Sequence, residues 1–379
     1  MNGNSANRVA LAAGGTGGHM FPAQALAREL LRRGKEVVLV TDHRGGGFGP
    51  DLPQVETYAV NAGGIAGAGL FHKVKSLVRL GAGCLQARKI LSRSSVDTVV
   101  GFGGYPSVPT VLAGHFLGLR IILHEQNSVL GRANRMLSRY AQAIATSFED
   151  VDGIAPALKA DIALTGNPVR GAISDLGQRP YAVPQDSGPL RLLIVGGSQG
   201  AVVFNDVVPK AIESLPDDLR RRLEVTQQVP GADLERVEEA YRSCGVRCTV
   251  APFIEDIPER LATAHLVISR SGASTIAELA AAGRPAVMVP YPSATDDHQT
   301  SNAQALTEVG GGWLIPQSAL SVESLAERLM EILAAPALLT RAARCARKAA
   351  HPDAAVRLAD IVCNVAKPNG GENEKEAAA

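Results

Sequence analysis

One pattern occurs twice in this chain and limits what it can fold into. Arg8-Val9-Ala10-Leu11-Ala12-Ala13 is an apolar run that ends in Gly14-Gly15-Thr16-Gly17-Gly18-His19. Leu190-Arg191-Leu192-Leu193-Ile194-Val195 is a second such run, and it ends in Gly196-Gly197-Ser198-Gln199-Gly200-Ala201. Each reads as a buried strand feeding a glycine turn. After the first turn a helical pattern continues from Pro22 to Arg33, Gly34 stops it, and Glu36 to Thr41 forms the next strand. That is a β-α-β unit, whose two strands run parallel. With 379 residues, 46% of them apolar, the chain can build two cores. The expected fold class is α/β, two similar domains with parallel sheets facing across a cleft.

The division follows from composition. Residues 1–170 form the first domain. Residues 171–189, with Pro180, Pro184 and Pro189 among polar neighbours, read as a linker. Residues 190–350 form the second domain. Residues 351–366 form a last helix, expected to pack back on the first domain, and 367–379 a polar, disordered tail.

The most informative stretch in the second half is 266–299. Leu266 to Ser269 reads as a strand, Arg270-Ser271-Gly272-Ala273 as a turn, and Ser274 and Thr275 as the first turn of a helix that Gly283 ends. The first N–H groups of a helix lack partners within it, and its dipole adds positive charge there, so this turn suits a phosphate. Glu278 shares a helix face with Ser274 and Thr275. A carboxylate there repels phosphate but accepts protons from a ribose diol, which points to a nucleotide. The same residues would also serve as an ordinary capped helix.

Other strands end in polar turns: Thr98–Phe102 in Gly103-Gly104-Tyr105-Pro106-Ser107, and Leu119–Leu123 in His124-Glu125-Gln126-Asn127. In a parallel sheet these ends share one edge, where ligands bind, so His19, His124, Glu125 and Asn127 can meet there. Asp42, near the end of the second strand, suits a dinucleotide-binding acid. However, the first glycine turn has Met20 where the third glycine of GxGxxG belongs, and it lacks the lysine of a P-loop.

Composition excludes several classes. A net charge of +1 and 4% aromatic residues do not fit a nucleic-acid binder. Five scattered cysteines fit a reducing compartment better than a disulfide framework. Met1 to Asn7 lacks the apolar core of a signal peptide, and no apolar run is long enough to span a bilayer. From Leu70 the pattern is amphipathic and basic, with His72, Lys75 and Arg79 on one stripe. It suits either a solvated helix face or an anionic lipid surface.

Taken in order, GGTGGH, GGYPS, HEQN, TGNPVR, GGSQGA, RSGAST…E and DDHQ…NA resemble the MurG family from Arg8 to about Val365. These are peripheral membrane N-acetylglucosaminyltransferases of peptidoglycan synthesis. The resemblance implies a GT-B fold of two Rossmann-like domains. It implies inverting transfer of GlcNAc from UDP-GlcNAc to the C4 hydroxyl of MurNAc in polyprenyl-linked lipid I, giving lipid II and UDP. It places Ser198 and Gln199 by the diphosphate or sugar, Ile254 against uracil, and Ala273, Ser274 and Thr275 over the phosphates. Glu278 would hold the ribose, Gln299 and Asn302 the GlcNAc, and Arg170 would approach the nucleotide. Thr16, Gly17, Gly18 and Asn127 would complete the site. His298-Gln299 stands where the family often has Gln-Gln, so the sugar contact there can differ.

For the acceptor proton, His19 is the first candidate base because the ordinary histidine pKa lies near neutrality. Glu125 is the second, as base or as the group orienting a histidine. A helix N-terminus and Arg170 facing the departing UDP would make a metal or cofactor unnecessary. Leu70, Phe71, Lys75 and Arg79 become the membrane contact, on the cytoplasmic face of the inner membrane. Cell-wall and division proteins are the partners such a role would bring. The alternatives are a UDP-GlcNAc 2-epimerase of the same fold, a non-catalytic nucleotide-sugar sensor, and a nicotinamide-dependent oxidoreductase.

Overall fold

The computed structural model describes residues 7–15, 17–43, 46–62, 70–185, 187–197 and 200–365, with side chains in the helix beginning at Leu70 described from Ser76 onward. It divides into two compact units, 1–168 with 353–379, and 169–352.

Among the described residues, the first unit holds strands β1 (Arg8–Ala12), β2 (Glu36–Thr41), β3 (Glu56–Ala59), β4 (Thr98–Gly101), β5 (Arg120–Glu125), β6 (Ala143–Thr146) and β7 (Asp161–Leu164). They form one sheet in the order β3-β2-β1-β4-β5-β6-β7, every pair parallel. Its helices are α1 (Gly17–Arg32), α2 (Leu70–Arg93), α3 (Gly104–Phe116) and α4 (Arg132–Leu137). A parallel sheet covered on both faces needs apolar residues on both, and the strands supply them alternately. Val9, Leu11, Val37 and Leu39 face α1, while Ala10, Ala12, Val38 and Val40 face the core that includes Ala87 and Leu91 of α2 and Val108 and Val111 of α3.

The second unit opens with α5 (Gly171–Ser174) and continues with β8 (Leu190–Val195), α6 (Val202–Glu213), α7 (Asp217–Arg220), β9 (Leu223–Gln228), α8 (Leu234–Ser243) and β10 (Arg247–Ala251). Then come α9 (Ile257–Thr263), β11 (Leu266–Ser269), α10 (Ala273–Ala282), β12 (Ala286–Met288), α11 (His298–Glu308), β13 (Gly312–Leu314), α12 (Val322–Leu333) and α13 (Pro336–Lys348). The strand order is β10-β9-β8-β11-β12-β13, again all parallel.

The last helix, α14 (Ala354–Asn364), belongs to the first unit. Its Leu358, Ala359 and Val362 join the α1 face of the core. Arg33 donates to Asp360 at 2.7 Å and to the Val356 carbonyl at 3.0 Å, fixing its end.

The boundary differs from the sequence expectation. Residues 171–178, read as linker, form α5 and a following 3-10 turn (Asp175–Gln178), with Ile173 and Leu176 buried. They pack against α10 and so belong to the second unit. The short helical turns hide two apolar anchors among polar residues, which composition alone reads as linker.

In both sheets the chain reverses its direction of travel between the two central strands: β1 and β4 in the first, β8 and β11 in the second. In a doubly wound sheet, ligands collect beyond the carboxyl ends of the strands at that switch. Both glycine turns lie there, as does the turn from β11 to α10.

Candidate active site

In the first unit the switch-point turns approach closely because glycine removes the side chain. A Cβ on Gly14 would lie 2.7 Å from Thr41 Oγ1. Gly103 and Gly104 have φ of 80° and 70°, a region that glycine enters without strain. A Cβ on Gly104 would come 3.3 Å from Nε2 of His19, which sits in the first turn of α1.

His19 is held through its other nitrogen: its Nδ1 lies 3.1 Å from Gln126 Oε1. Gln126 Nε2 lies 2.9 Å from His124 Nδ1 and donates to the His124 carbonyl at 3.0 Å. His124 Nε2 in turn meets the Gly166 carbonyl at 3.2 Å. His124 is fully buried, and desolvation pushes its pKa down to about 4, with the His19 charge nearby acting in the same direction. His19, Gln126, His124 and Gly166 therefore form one continuous chain of polar contacts.

Glu125 points the other way, as strand alternation requires. Its Oε1 accepts from the Asn127 backbone N–H at 3.0 Å and from Asn127 Nδ2 at 3.2 Å. Its Oε2 accepts from the Gly131 N–H at 2.9 Å and from Asn134 Nδ2 at 2.8 Å. Four donors occupy this buried carboxylate, so its lone pairs are committed to holding the loop between β5 and α4. That corrects the expectation of Glu125 as base or as orienter of a histidine. The residue that reaches the His19 ring is Gln126, and Asn127 is a brace of the same loop.

In the second unit α10 begins after Gly272, whose backbone is extended (φ −61°, ψ 146°), and ends at left-handed Gly283 (φ 61°, ψ 49°). Arg284 fixes its far end. The fully buried guanidinium donates to the Leu261 and Ala262 carbonyls of α9 and to the Ala282 and Gly283 carbonyls of α10. These are carbonyls that helix ends leave unpaired. One cation thus caps two helices and sets the direction in which α10 aims its N-terminus, where Ala273, Ser274 and Thr275 lie.

Arg270 also braces the turn. It donates to the Val289 and Pro290 carbonyls at 3.1 and 3.0 Å and to Gln317 at 2.7 Å, tying the end of β11 to that of β12. Ser271 donates to the Gln299 carbonyl at 2.7 Å. Gln299 Oε1 accepts from the Tyr291 N–H at 3.0 Å. Asn302 has no accessible surface and donates to the Ser271 carbonyl at 3.2 Å. The direct sugar contact expected of Asn302 therefore becomes a supporting role: it holds the turn from behind. Asp296 and Asp297, both left-handed (φ 52° and 50°), present His298-Gln299 at the start of α11. This region is one that Asp tolerates better than most residues.

Arg170 and Glu278 meet each other. Arg170 Nε and Nη2 donate to Glu278 Oε1 and Oε2 at 2.8 and 3.0 Å, a bidentate pair that fixes the carboxylate plane. Burial raises the Glu278 pKa, and the adjoining Arg170 opposes that rise. Ile254 follows β10 with its side chain buried, beside an exposed Phe253. The glycine turn after β8 is anchored by Gln228, whose Oε1 accepts from the Gly196 N–H at 3.2 Å. A Cβ on Gly196 would fall 2.2 Å from the Ala201 nitrogen, so position 196 admits only glycine.

Thr16, Ser198 and Gln199 lie outside the described residues, as do the side chains of Leu70, Phe71 and Lys75. Gly17 and Gly18 open α1, and Arg79 is exposed on α2.

Two family models cover most of the chain: the glycosyltransferase family 28 N-terminal domain over residues 9–146 and the family 28 C-terminal domain over 191–358. A Rhodospirillum centenum protein is 51% identical over 369 residues, 97% of each chain. It is named UDP-N-acetylglucosamine–N-acetylmuramyl-(pentapeptide) pyrophosphoryl-undecaprenol N-acetylglucosamine transferase. The crystal structure of Acinetobacter baumannii MurG matches with a TM-score of 0.74 at 32% identity, over 94% of this chain and 99% of that one.

The chain belongs to the MurG family of glycosyltransferases.

Its GT-B class, two Rossmann-like α/β domains, follows from the two parallel sheets and this membership. The MurG fold is shared more widely than its chemistry. A structure described as a putative UDP-N-acetylglucosamine 2-epimerase from Listeria monocytogenes matches with a TM-score of 0.66 at 16% identity, over 94% of this chain and 95% of that one. That likeness concerns the fold alone. Among the candidate residues of the two units, the sequence singled out the glycine turns, His19 and Glu278. Gln126, Gln228 and Arg284 escaped it. For Gln126 the signal was present: it stands two residues from His124, hence on the same side of an extended chain.

Proposed function

We propose that this protein transfers GlcNAc from UDP-GlcNAc to the C4 hydroxyl of the MurNAc unit of polyprenyl-linked lipid I, with inversion, giving lipid II and UDP. The observation that carries this reading is the half-buried Arg170–Glu278 pair beside the N-terminus of α10. Each Glu278 oxygen accepts one Arg170 N–H and keeps a lone pair for a hydroxyl. Held in that plane, the carboxylate suits the vicinal diol of a ribose. The helix N-terminus suits the diphosphate beyond it. Because Glu278 neutralises Arg170, the α10 amides carry most of the attraction for the departing UDP, and Arg170 acts by positioning Glu278.

His19 takes the acceptor proton as the hydroxyl attacks the anomeric carbon. The C–O bond to the diphosphate breaks in the same displacement, and UDP leaves with the bonding pair. The site needs no metal in this reading. Proteins with the relatives' printed activity act on a lipid-linked acceptor, so the first unit needs a membrane face. Leu77, Val78 and Leu85 of α2 and Phe116 at the end of α3 supply one: all four are largely exposed. Arg79, Arg88 and Lys89 are exposed with them. The protein then rests on the cytoplasmic face of the inner membrane, where cell-wall and division proteins are its partners.

Two substitutions separate the roles. His19→Ala lowers kcat by about 10²–10⁴-fold while UDP-GlcNAc affinity stays as in the parent. Glu278→Ala weakens UDP binding roughly tenfold or more, the size of a lost charged hydrogen bond. Calorimetric titration with UDP beside steady-state transfer to a soluble lipid I analogue measures both. Unaltered UDP affinity in Glu278→Ala contradicts the ribose role, and undiminished turnover in His19→Ala removes the base.

A further inference from the structure

The polar chain in the first unit has a direction, because a backbone carbonyl anchors it at two points. A carbonyl only accepts. The Gly166 carbonyl, 3.2 Å from His124 Nε2, therefore fixes that nitrogen as N–H. Neutral imidazole carries one N–H, so His124 Nδ1 is left as the acceptor. The His124 carbonyl, 3.0 Å from the Gln126 amide, fixes which end of that amide is nitrogen. The same nitrogen donates its second hydrogen to His124 Nδ1 at 2.9 Å. Gln126 Oε1 then has only acceptor character to offer, and it faces His19 Nδ1 at 3.1 Å.

We infer that Gln126 is a positioning residue that fixes neutral His19 as the Nδ1–H tautomer, making Nε2 the nitrogen that takes the acceptor proton. The tautomer assignment stands on the hydrogen-bond geometry, and its catalytic value rests on the reading of His19 as base. Imidazole in water favours the opposite tautomer, with the proton on Nε2, which would present a donor to an incoming hydroxyl. When His19 becomes charged, its Nδ1–H still points at the Gln126 carbonyl oxygen, so the relay fits both protonation states. His124 completes the device by staying neutral: burial holds its pKa near 4, so at neutral pH its Nδ1 remains an acceptor for Gln126. A protonated His124 would set an N–H against the Gln126 amide hydrogens and turn that amide away. Glutamine suits the middle position because it carries a donor and an acceptor at once without charge. A glutamate there would offer no donor to His124.

The test is a long-range proton–nitrogen NMR spectrum of the full chain labelled with 15N-histidine, recorded above pH 8. The His19 signals are assigned by their loss in His19→Gln. The inference predicts a protonated Nδ1 and an unprotonated Nε2 for His19; the reverse pattern in the parent protein overturns it whatever any variant does. In Gln126→Met, close in volume but without polar ends, the His19 tautomer moves toward Nε2–H. There kcat falls about tenfold or more, with the KM for UDP-GlcNAc within about twofold of the parent. A folded Gln126→Met whose His19 keeps the Nδ1–H pattern overturns the inference. A tautomer that moves while kcat stays constant upholds the relay and removes His19 from the chemistry instead, so the two readings fail separately.

Discussion

At the scale of single residues, burial decides what each polar group of this protein can do. His124 and Glu125 are neighbours, equally buried, and opposite in consequence. Glu125 is surrounded by four N–H donors and holds a loop. His124 is surrounded so that its neutral form is favoured, which gives stability a pH dependence. Its folded pKa of about 4 lies below the ordinary 6.5. Above 6.5 the ring is neutral in folded and unfolded chains alike. Below it the unfolded chain binds a proton that the folded one refuses, so stability falls until the folded pKa is reached. The loss at pH 5 is about 2 kcal/mol from this group. His265 in the second unit, also lowered to about 4 chiefly by burial, acts in the same direction. Urea unfolding at pH 7 and pH 5 should show a lower midpoint at pH 5, and His124→Gln should narrow the difference. Equal midpoints in the parent protein would contradict the neutral buried His124.

At the scale of elements, α2 illustrates a helix with two unlike faces. Ala87 and Leu91 turn inward to the sheet. Leu77, Gly81, Leu85 and Arg88 follow at i, i+4, i+8 and i+11 and face outward, exposed. Two leucines about 70% exposed beside basic residues are what an anionic bilayer surface binds. Leu77→Glu with Leu85→Glu should reduce sedimentation with anionic vesicles severalfold and leave turnover of a soluble acceptor analogue unchanged. Equal vesicle binding would move the membrane face elsewhere. The sequence expectation named the N-terminal end of this helix, Leu70, Phe71 and Lys75, with Arg79. Leu77 and Leu85 a little further along, and Phe116 from α3, are exposed beside it. Periodicity showed that an amphipathic helix was present. Which stripe faces the sheet depends on where α3 packs, and that lies beyond a local pattern.

At the scale of the whole molecule, the duplicated strand and glycine turn carried most of the fold. Parallel pairing, right-handed crossovers and turns gathered at the carboxyl edge follow from it with little freedom left. The unit boundary was harder, because Ile173 and Leu176 are two anchors in a stretch otherwise composed like a linker. Among the candidate residues, those whose chemistry is local stood out in the sequence: the glycines, His19 at a helix start, Glu278 on the face of Ser274. Residues that act through distant partners did not. Arg284 joins the ends of two helices, a partnership nothing in its neighbouring sequence announces, and Gln126 joins the nearby His124 to His19, which lies far off in sequence. Arg170 was legible as part of the site, but its partner proved to be Glu278.

Turnover by this protein should need both a sugar nucleotide and a lipid-type acceptor. UDP release from UDP-GlcNAc, followed with and without a soluble lipid I analogue and in the presence of a chelator, tests this most directly. Release should depend on the analogue, survive the chelator, and match mole for mole a disaccharide product with the inverted anomeric linkage. Release at the same rate without the analogue, or conversion of UDP-GlcNAc to its 2-epimer, would contradict the proposed transfer.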